Sequence, residues 1–306
     1  MKVRNKIIFG VFISLTVLSF YWYAFVALKE VSIPQKDIIA AYTYEPLSDL
    51  EMEVEQIETD KYKFSYKSFD GAVVNGQLSY PSIKSQKYPV FIGVSAMGRG
   101  YQRWWVDSFK GRPTVTQVNK ITSMANNIGY AVIAIDARYH GTRKDPDRSL
   151  RSIMNDLNFF GSKDTYESMI KDTVLDYRVL IDWINQQQIF YNQRIVMGGY
   201  SMGGQVALIA ASTDHRIDRV LSIVPPHLDD KVALVAPKNF VSLLEGREVL
   251  LVTANDDENA TKKENQILFD SINTSEKLHI TFEGDHILPD NYVSSLEDWL
   301  TLIDEP

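Results

Sequence analysis

Apolar and polar positions divide the chain into three regimes. An uncharged run from Ile7 to Leu28 would span roughly 33 Å as a helix, enough to cross a bilayer. Residues 29–50 are polar, contain Pro34 and Pro46, and read as a connector. From residue 51 strand patterns lead and then alternate with helical ones. Lys63–Phe69 and Val73–Tyr80 alternate apolar and polar side chains about Asp70-Gly71, which predicts an antiparallel hairpin. Val90–Val94, Ala131–Ile135, Arg194–Met197, Val220–Val224, Val249–Thr253 and Leu278–Phe282 are short apolar runs, the kind buried on both faces of a parallel sheet. Helical spacing lies between them. Val118, Ile121, Ala125 and Ile128 share one face before Gly129, and Ile170, Val174, Tyr177, Ile181 and Ile184 repeat at intervals of four and three. Val293, Leu296, Leu300 and Ile303 predict a last helix. Strands alternating with helices predict an α/β fold, a mostly parallel central sheet covered on both faces. In such sheets ligands bind beyond the carboxyl ends of the strands, which directs attention to the loops there.

Composition narrows the picture. The chain has 306 residues, 45% hydrophobic and 23% charged, as ordinary globular proteins do. Its net charge is −7, and no stretch beyond the N-terminus concentrates Lys and Arg, which argues against a nucleic-acid partner. There is no cysteine, so zinc thiolate sites, redox dithiols and disulfides are excluded, while the compartment stays undecided. Lys2, Arg4 and Lys6 precede the apolar run, and Tyr21, Trp22 and Tyr23 stand near its far end, where an interfacial aromatic belt would lie. Ala24 and Ala27 make a poor small-x-small cleavage site. The segment is therefore expected to be an uncleaved signal anchor over residues 1–28, followed by a linker (29–50) and a catalytic domain (51–306). The protein is then expected to be a single-pass membrane protein with its N-terminus cytoplasmic and its domain extracytoplasmic. A cleaved signal with a secreted product, and a buried helix of the fold, are the alternatives.

The chemistry concentrates where the Arg194–Met197 run ends. Gly198-Gly199-Tyr200-Ser201-Met202-Gly203-Gly204 follows it, and then the apolar run Val206–Ala211. This is Gly-x-Ser-x-Gly on a strand-to-helix turn. The serine needs a strained backbone at the tip, and only residues without side chains fit two positions to either side. The new helix points its N-terminal N–H groups at the place where an oxyanion would develop. By composition alone the pattern appears in roughly one chain in ten of this length, so its setting between strand and helix carries the weight. No His-Glu-x-x-His and no Gly-rich phosphate loop occurs, and no cofactor or metal is expected.

At this point the chain from about residue 65 onward resembles the α/β-hydrolase superfamily, in particular its dienelactone-hydrolase and acetyl-esterase-like members. Phe69-Asp70-Gly71 with Gly76 and Pro81 is similar to the opening hairpin of that group. Asp136-Ala137-Arg138-Tyr139-His140-Gly141 resembles its Asp-x-Arg-Gly-His-Gly loop, and Asp172 to Trp183 the helix before the nucleophile strand. Tyr139 stands for a usual Gly and Arg143 for a usual Ser, so that loop is expected to differ. The superfamily order Ser, acid, His implies Ser201 as nucleophile and His286, in Gly284-Asp285-His286 after the last strand, as base. Ala254-Asn255-Asp256-Asp257 stands in place of Gly-x-x-Asp and implies Asp257 as the acid, with Asp256, or Asp229 or Asp230 one strand earlier, as alternatives. The oxyanion hole is expected from the N–H groups of Met202 and of Met97, or else Ala96, in Ser95-Ala96-Met97-Gly98, where the family often has His-Gly. Ser95 is expected to bond within its own loop, His140 to have a structural role and His279 to be packed in a strand. Trp104 and Trp105, with Phe159 and Phe160 on a second long loop, either pack these loops onto the body or wall a compact acyl pocket. The first pair is taken as substrate-binding.

The resemblance implies a serine hydrolase that cleaves small-molecule carboxylic esters, short in the acyl part, through an acyl-serine intermediate. Peptide, amide or thioester hydrolysis on the same triad, and an inactive membrane-tethered binding protein, are the competing expectations.

Overall fold

A computed structural model describes residues 2–301. Helix α1 (Lys2–Tyr21) continues through one π turn, Trp22–Val26, and Ala27 leaves the helix at φ −57°, ψ 134°. The stretch Ile7–Val26 is long and apolar enough to cross a membrane and is not buried by the rest of the protein, so the expected span ends two residues early. Helix α2 (Gln35–Ala40) and strands β1 (Glu53–Glu58), β2 (Lys61–Lys67), β3 (Val73–Ser79) and β4 (Tyr88–Val94) follow. Next come a small hairpin, β5 (Ser108–Phe109) with β6 (Arg112–Pro113), then α3 (Val118–Asn127), β7 (Ala131–Ile135), α4 (Leu150–Phe159) and α5 (Asp164–Gln186). The chain completes the fold with β8 (Phe190–Tyr200), α6 (Met202–Thr213), β9 (Arg219–Ile223), β10 (Glu248–Ala254), α7 (Lys262–Ser271), β11 (Lys277–Phe282) and α8 (Glu297–Thr301).

Nine strands form one sheet in the order β1-β2-β3-β7-β4-β8-β9-β10-β11. The first three are antiparallel and β3 meets β7 antiparallel, while β7, β4, β8, β9, β10 and β11 run parallel. Strands β7, β4, β9 and β10, and β8 from Ile195 on, are buried on both faces because helices cover both. Strand β11, at the sheet edge, is only partly covered, with Leu278 49% exposed, against the burial its apolar run suggested. Along β4, Val90, Ile92 and Val94 join the core under α4–α7, and Phe91 joins the core under α3 and α8. The hairpin turns where Gly71 has φ +78°, and Gly129, at φ +99°, turns the chain out of α3. The last apolar stripe begins in a 3-10 turn (Asp290–Leu296) and only then becomes α8; Ile303 lies outside the described residues.

Residues 29–50 do not behave as a free connector. Ile38, Tyr42 and Leu50 are buried in the main core. The Tyr42 hydroxyl donates to the Leu234 carbonyl (2.8 Å), its ring packs edge-on against Phe240, and Tyr44 donates to Asp182 (2.6 Å). The polar composition hid this, because three apolar anchors suffice to seat a short segment whose remaining side chains face water. In the loop after β7, Tyr139 takes φ +63°, the conformation a glycine would adopt there, so the backbone keeps its course despite the substitution. Arg143 fills the usual serine position and pairs at 2.6 Å with Asp176, a wholly buried carboxylate that Arg138 also holds. Arg138 reaches across to Asp70 of the hairpin as well, which ties β2–β3 to α5.

Candidate active site

Strand β8 enters the turn at Tyr200, and Ser201 sits at its tip with φ +57°, ψ −120°. That conformation costs on the order of 1–3 kcal/mol and persists only where surroundings over-determine it. The surroundings are close. A Cβ at Gly199 would overlap the backbone of Gly203, and one at Gly203 would overlap the Val94 carbonyl. Glycine at both positions therefore lets α6 begin directly against the end of β4. The Ser201 N–H donates to the Ile223 carbonyl at 2.8 Å, which fixes the tip to β9.

Ser201 Oγ lies 2.8 Å from His286 Nε2, and His286 Nδ1 lies 2.9 and 3.0 Å from the two carboxylate oxygens of Asp257. The loops after β8, β10 and β11 thus meet in one continuous hydrogen-bonded path. Asp257 is buried and its Oδ1 also accepts the N–H of Asn259 at 2.8 Å, so its carboxylate is held in place from both sides. Asp256 is exposed and only its backbone joins the site, donating to the Gly284 carbonyl. Asp229 caps a 3-10 turn and is bound to Lys231, which, against the opposing effect of burial, holds its carboxyl below the usual range. Asp230 binds Asn239 and Lys238. Of the four carboxylates considered, only Asp257 meets the histidine.

Two side chains that the sequence did not single out support this path. Tyr200, buried, donates its hydroxyl to the His286 carbonyl (2.8 Å) and accepts the Leu288 N–H (3.0 Å). Burial pushes its phenol up to about 12, so it remains a donor at any ordinary pH. Asn259 is the other, through its bonds to Asp257. Neither carries a motif, since one is an apolar strand position and the other a polar loop residue.

On the donor side, the N–H of Met202 opens α6, and the N–H groups of Met97 and Ala96 lie in the loop after β4. Among the described residues none of the three takes a protein acceptor. Ser95 donates to the Gly100 carbonyl (3.2 Å) within its loop. His140 is wholly buried, with Nδ1 2.7 Å from the Arg138 carbonyl, and burial lowers its pKa to about 4, so it stays neutral and structural. His279 lies on β11 against Thr253 and Phe269.

The two tryptophans expected to bind substrate pack the loop after β4 onto the body instead. Trp104 has no exposed surface and packs on Gly93 of β4 beside Phe91 in the second core, so it offers nothing to a substrate. Trp105 is partly buried and donates to Ser79 on β3. Met97, Leu150, Met154 and Leu228 pack against the main core that contains Met202, Leu150 lies beside Gly98 of the Met97 loop, and Phe159 and Phe160 are exposed at the far end of α4. Among the described residues no group of three or more His, Asp or Glu side chains is arranged to hold a metal.

Comparison with known proteins agrees with this architecture. An acetyl xylan esterase from Paenibacillus sp. R4 superposes with a TM-score of 0.67 at 15% identity over 87% of this chain and 92% of that one. Acetyl xylan esterase 1 from Thermoanaerobacterium sp. JW/SL YS485 gives 0.66 at 14% identity, covering 90% of this chain and 100% of the other. A glucuronoyl esterase from Solibacter usitatus gives 0.62 at 11% identity over 89% and 93%. At such identities the likeness is one of fold. No curated protein matches in sequence. A family model described as alpha/beta hydrolase fold matches residues 118–273, just over half of the chain and inclusive of Ser201 and Asp257, and the chain therefore belongs to the α/β-hydrolase family.

Proposed function

We propose that the chain is a carboxylic ester hydrolase that works through an acyl-serine intermediate. The observation that carries this reading is the unbroken path from Ser201 Oγ through the His286 ring to Asp257, at 2.8 and 2.9 Å. In the proposed reaction Ser201 Oγ attacks the ester carbonyl while His286 Nε2 takes its proton, and Asp257 holds the ring in the right tautomer and stabilises the imidazolium. The N–H groups of Met202 and Met97 receive the oxyanion, since among the described residues neither is taken by a protein acceptor. His286 then protonates the departing alcohol. Water, deprotonated by the same ring, releases the carboxylic acid and restores the serine. Neighbours named as acetyl xylan and glucuronoyl esterases support the ester class.

The acyl side of the substrate is short in this reading, and residues 1–28 form an uncleaved signal anchor that leaves the N-terminus in the cytoplasm and residues 51–306, the catalytic domain, on the other side of the membrane. A fluorophosphonate probe tests the nucleophile, for it labels only an activated serine. Wild-type protein should be labelled at Ser201 and Ser201→Ala should not. Ser201→Ala and His286→Ala should each lower kcat on p-nitrophenyl acetate by three or more orders of magnitude, roughly, without the losses adding, and Asp257→Asn by somewhat less. Near-normal turnover by Ser201→Ala would end the proposal, and an unlabelled wild type would mean an inactive binding protein.

A further inference from the structure

The end of the apolar helix is fastened to the catalytic body. The Trp22 indole N–H donates to the Phe159 carbonyl at 2.6 Å across 137 residues of chain. Gly161, at φ +65°, lies so close to the Val26 carbonyl that a Cβ would overlap it. The Val31 N–H donates to the Asp230 carbonyl (3.1 Å), and Ile38 and Tyr42 are buried a few residues later. No slack therefore separates the span from the domain.

At this junction two neighbouring phenylalanines face outward. Phe159 and Phe160, at the end of α4, are 59% and 67% exposed, level in the chain's contacts with Trp22. A pair of exposed aromatic rings beside the last turn of a membrane span stands where the bilayer interface is, and transfer of both rings into it is favourable. Helix α4 connects this point to the chemistry. Leu150 at its start lies against Gly98 of the loop after β4, and ten helical residues cover about 15 Å. A cavity of about 280 Å³, lined among others by Trp22, Leu28, Leu157, His227 and Leu228, opens between the end of the span and the loop that follows β9.

We infer that Phe159 and Phe160 form a second membrane contact that holds the catalytic cleft against the bilayer surface, so that the protein acts on an ester carried by a membrane-resident amphiphile. This rests on reading residues 1–28 as an anchor and on the proposed esterase chemistry. The occupant of the patch is the phospholipid interface itself, because the end of the span is bonded at Trp22 to Phe159 and packs at Val26 against Gly161. The polar part of the amphiphile would meet His227, Asp229 and Lys231 at the cavity rim.

The absence of cysteine makes the test direct. Single variants Phe160→Cys, Phe12→Cys (within the span) and Lys84→Cys (before β4, at the opposite end of the sheet) are spin-labelled in the full-length protein and placed in phosphatidylcholine vesicles. Collision with oxygen, which partitions into lipid, is compared with collision with a water-soluble nickel chelate. The label at 160 should follow the one at 12, favouring oxygen, and the one at 84 should favour nickel. A label at 160 that behaves like the one at 84, with 12 still in lipid, overturns the inference alone and leaves the patch to a protein partner. A label at 12 found in water overturns the anchor reading and the inference together. In the same vesicles Phe159→Ser/Phe160→Ser should lower kcat/KM for hexadecyl acetate at least tenfold and alter that for dissolved p-nitrophenyl acetate less than twofold. Equal effects on the two esters, or a wild type that cleaves only the dissolved one, would overturn the amphiphile as substrate; loss of both activities by Ser201→Ala alone tests the chemistry separately.

Discussion

Ser201 and its immediate supports illustrate how few side chains determine the site. The strained tip is held by backbone bonds and by two glycines packed without room for a Cβ, while the orientation of His286 depends on Asp257 at one end and on Tyr200 at the other. Tyr200 is buried and, through its bonds to the His286 carbonyl and the Leu288 N–H, positions the loop that carries the imidazole. Tyr200→Phe keeps the ring and its edge-on packing against His286 and removes only the hydroxyl. Each of the two lost bonds is worth about 1 kcal/mol. We expect kcat to fall about tenfold, equivalent to ~1.4 kcal/mol, with KM within a factor of two and fluorophosphonate labelling slowed in step. A role confined to stability would lower the melting temperature and leave kcat of the folded protein unchanged. Ser201, His286 and Asp257 were legible because chemistry demands a fixed residue type in a fixed chain order, and Asp257 was preferred to Asp256 because Ala254-Asn255-Asp256-Asp257 stands where the resembling family has Gly-x-x-Asp. Tyr200 was not, since a tyrosine on a buried strand looks like any core aromatic. Trp104 misled for the opposite reason, because a large ring after the β4 loop suits a cleft wall and a core equally well, and only the space above Gly93 decides.

Elements followed the same division. All six parallel strands announced themselves through apolar runs and the long helices through period, although β11, at the sheet edge, is not buried on both faces as its run suggested. Helix α4 escaped notice, with only Ile153 fully buried on it, and so did the docking of residues 29–50, which depends on Ile38, Tyr42 and Leu50. Periodicity is silent about three isolated anchors. The consequence for truncation is specific. A chain beginning at Ser32 lacks the span and retains all three anchors, and it should be soluble and active on dissolved esters. A chain beginning at Glu51 loses them, together with the Tyr42 bond to Leu234 and the Tyr44 bond to Asp182. Removal of buried side chains of this size costs about 2–5 kcal/mol each. The shorter protein should melt at least ~10 °C below the longer one, given about 2–4 °C per kcal/mol at this size. Equal melting temperatures would show that the docked segment contributes nothing to the fold.

At the scale of the whole molecule, the sheet gathers Ser201, Asp257, His286 and the candidate oxyanion donors at the carboxyl ends of β4, β8, β10 and β11, as a parallel sheet with helices on both faces requires. What roofs that end sets the substrate. Between β9 and β10, residues 224–247 hold only three short 3-10 turns, too little chain for a cap domain. The 280 Å³ cavity lies at the side, by the end of the span, and the apolar side chain beside the Met97 loop is Leu150. On the proposed reading, a site without a cap domain takes a small acyl group beside the oxyanion donors and leaves a long chain in water, where it gains nothing from the enzyme. The bulk of a membrane-borne substrate then belongs to its alcohol half, on the side of the bilayer. The protein beginning at Ser32 separates the two effects, because no membrane is present to concentrate the ester. On p-nitrophenyl esters from acetate to palmitate its kcat/KM should be highest at four carbons or fewer and should fall by at least tenfold at ten, since each added methylene would contribute about 0.8 kcal/mol only if a wall received it. A maximum at ten carbons or beyond would mean a deep apolar channel, and the short-acyl specificity would have to be abandoned even with the triad intact.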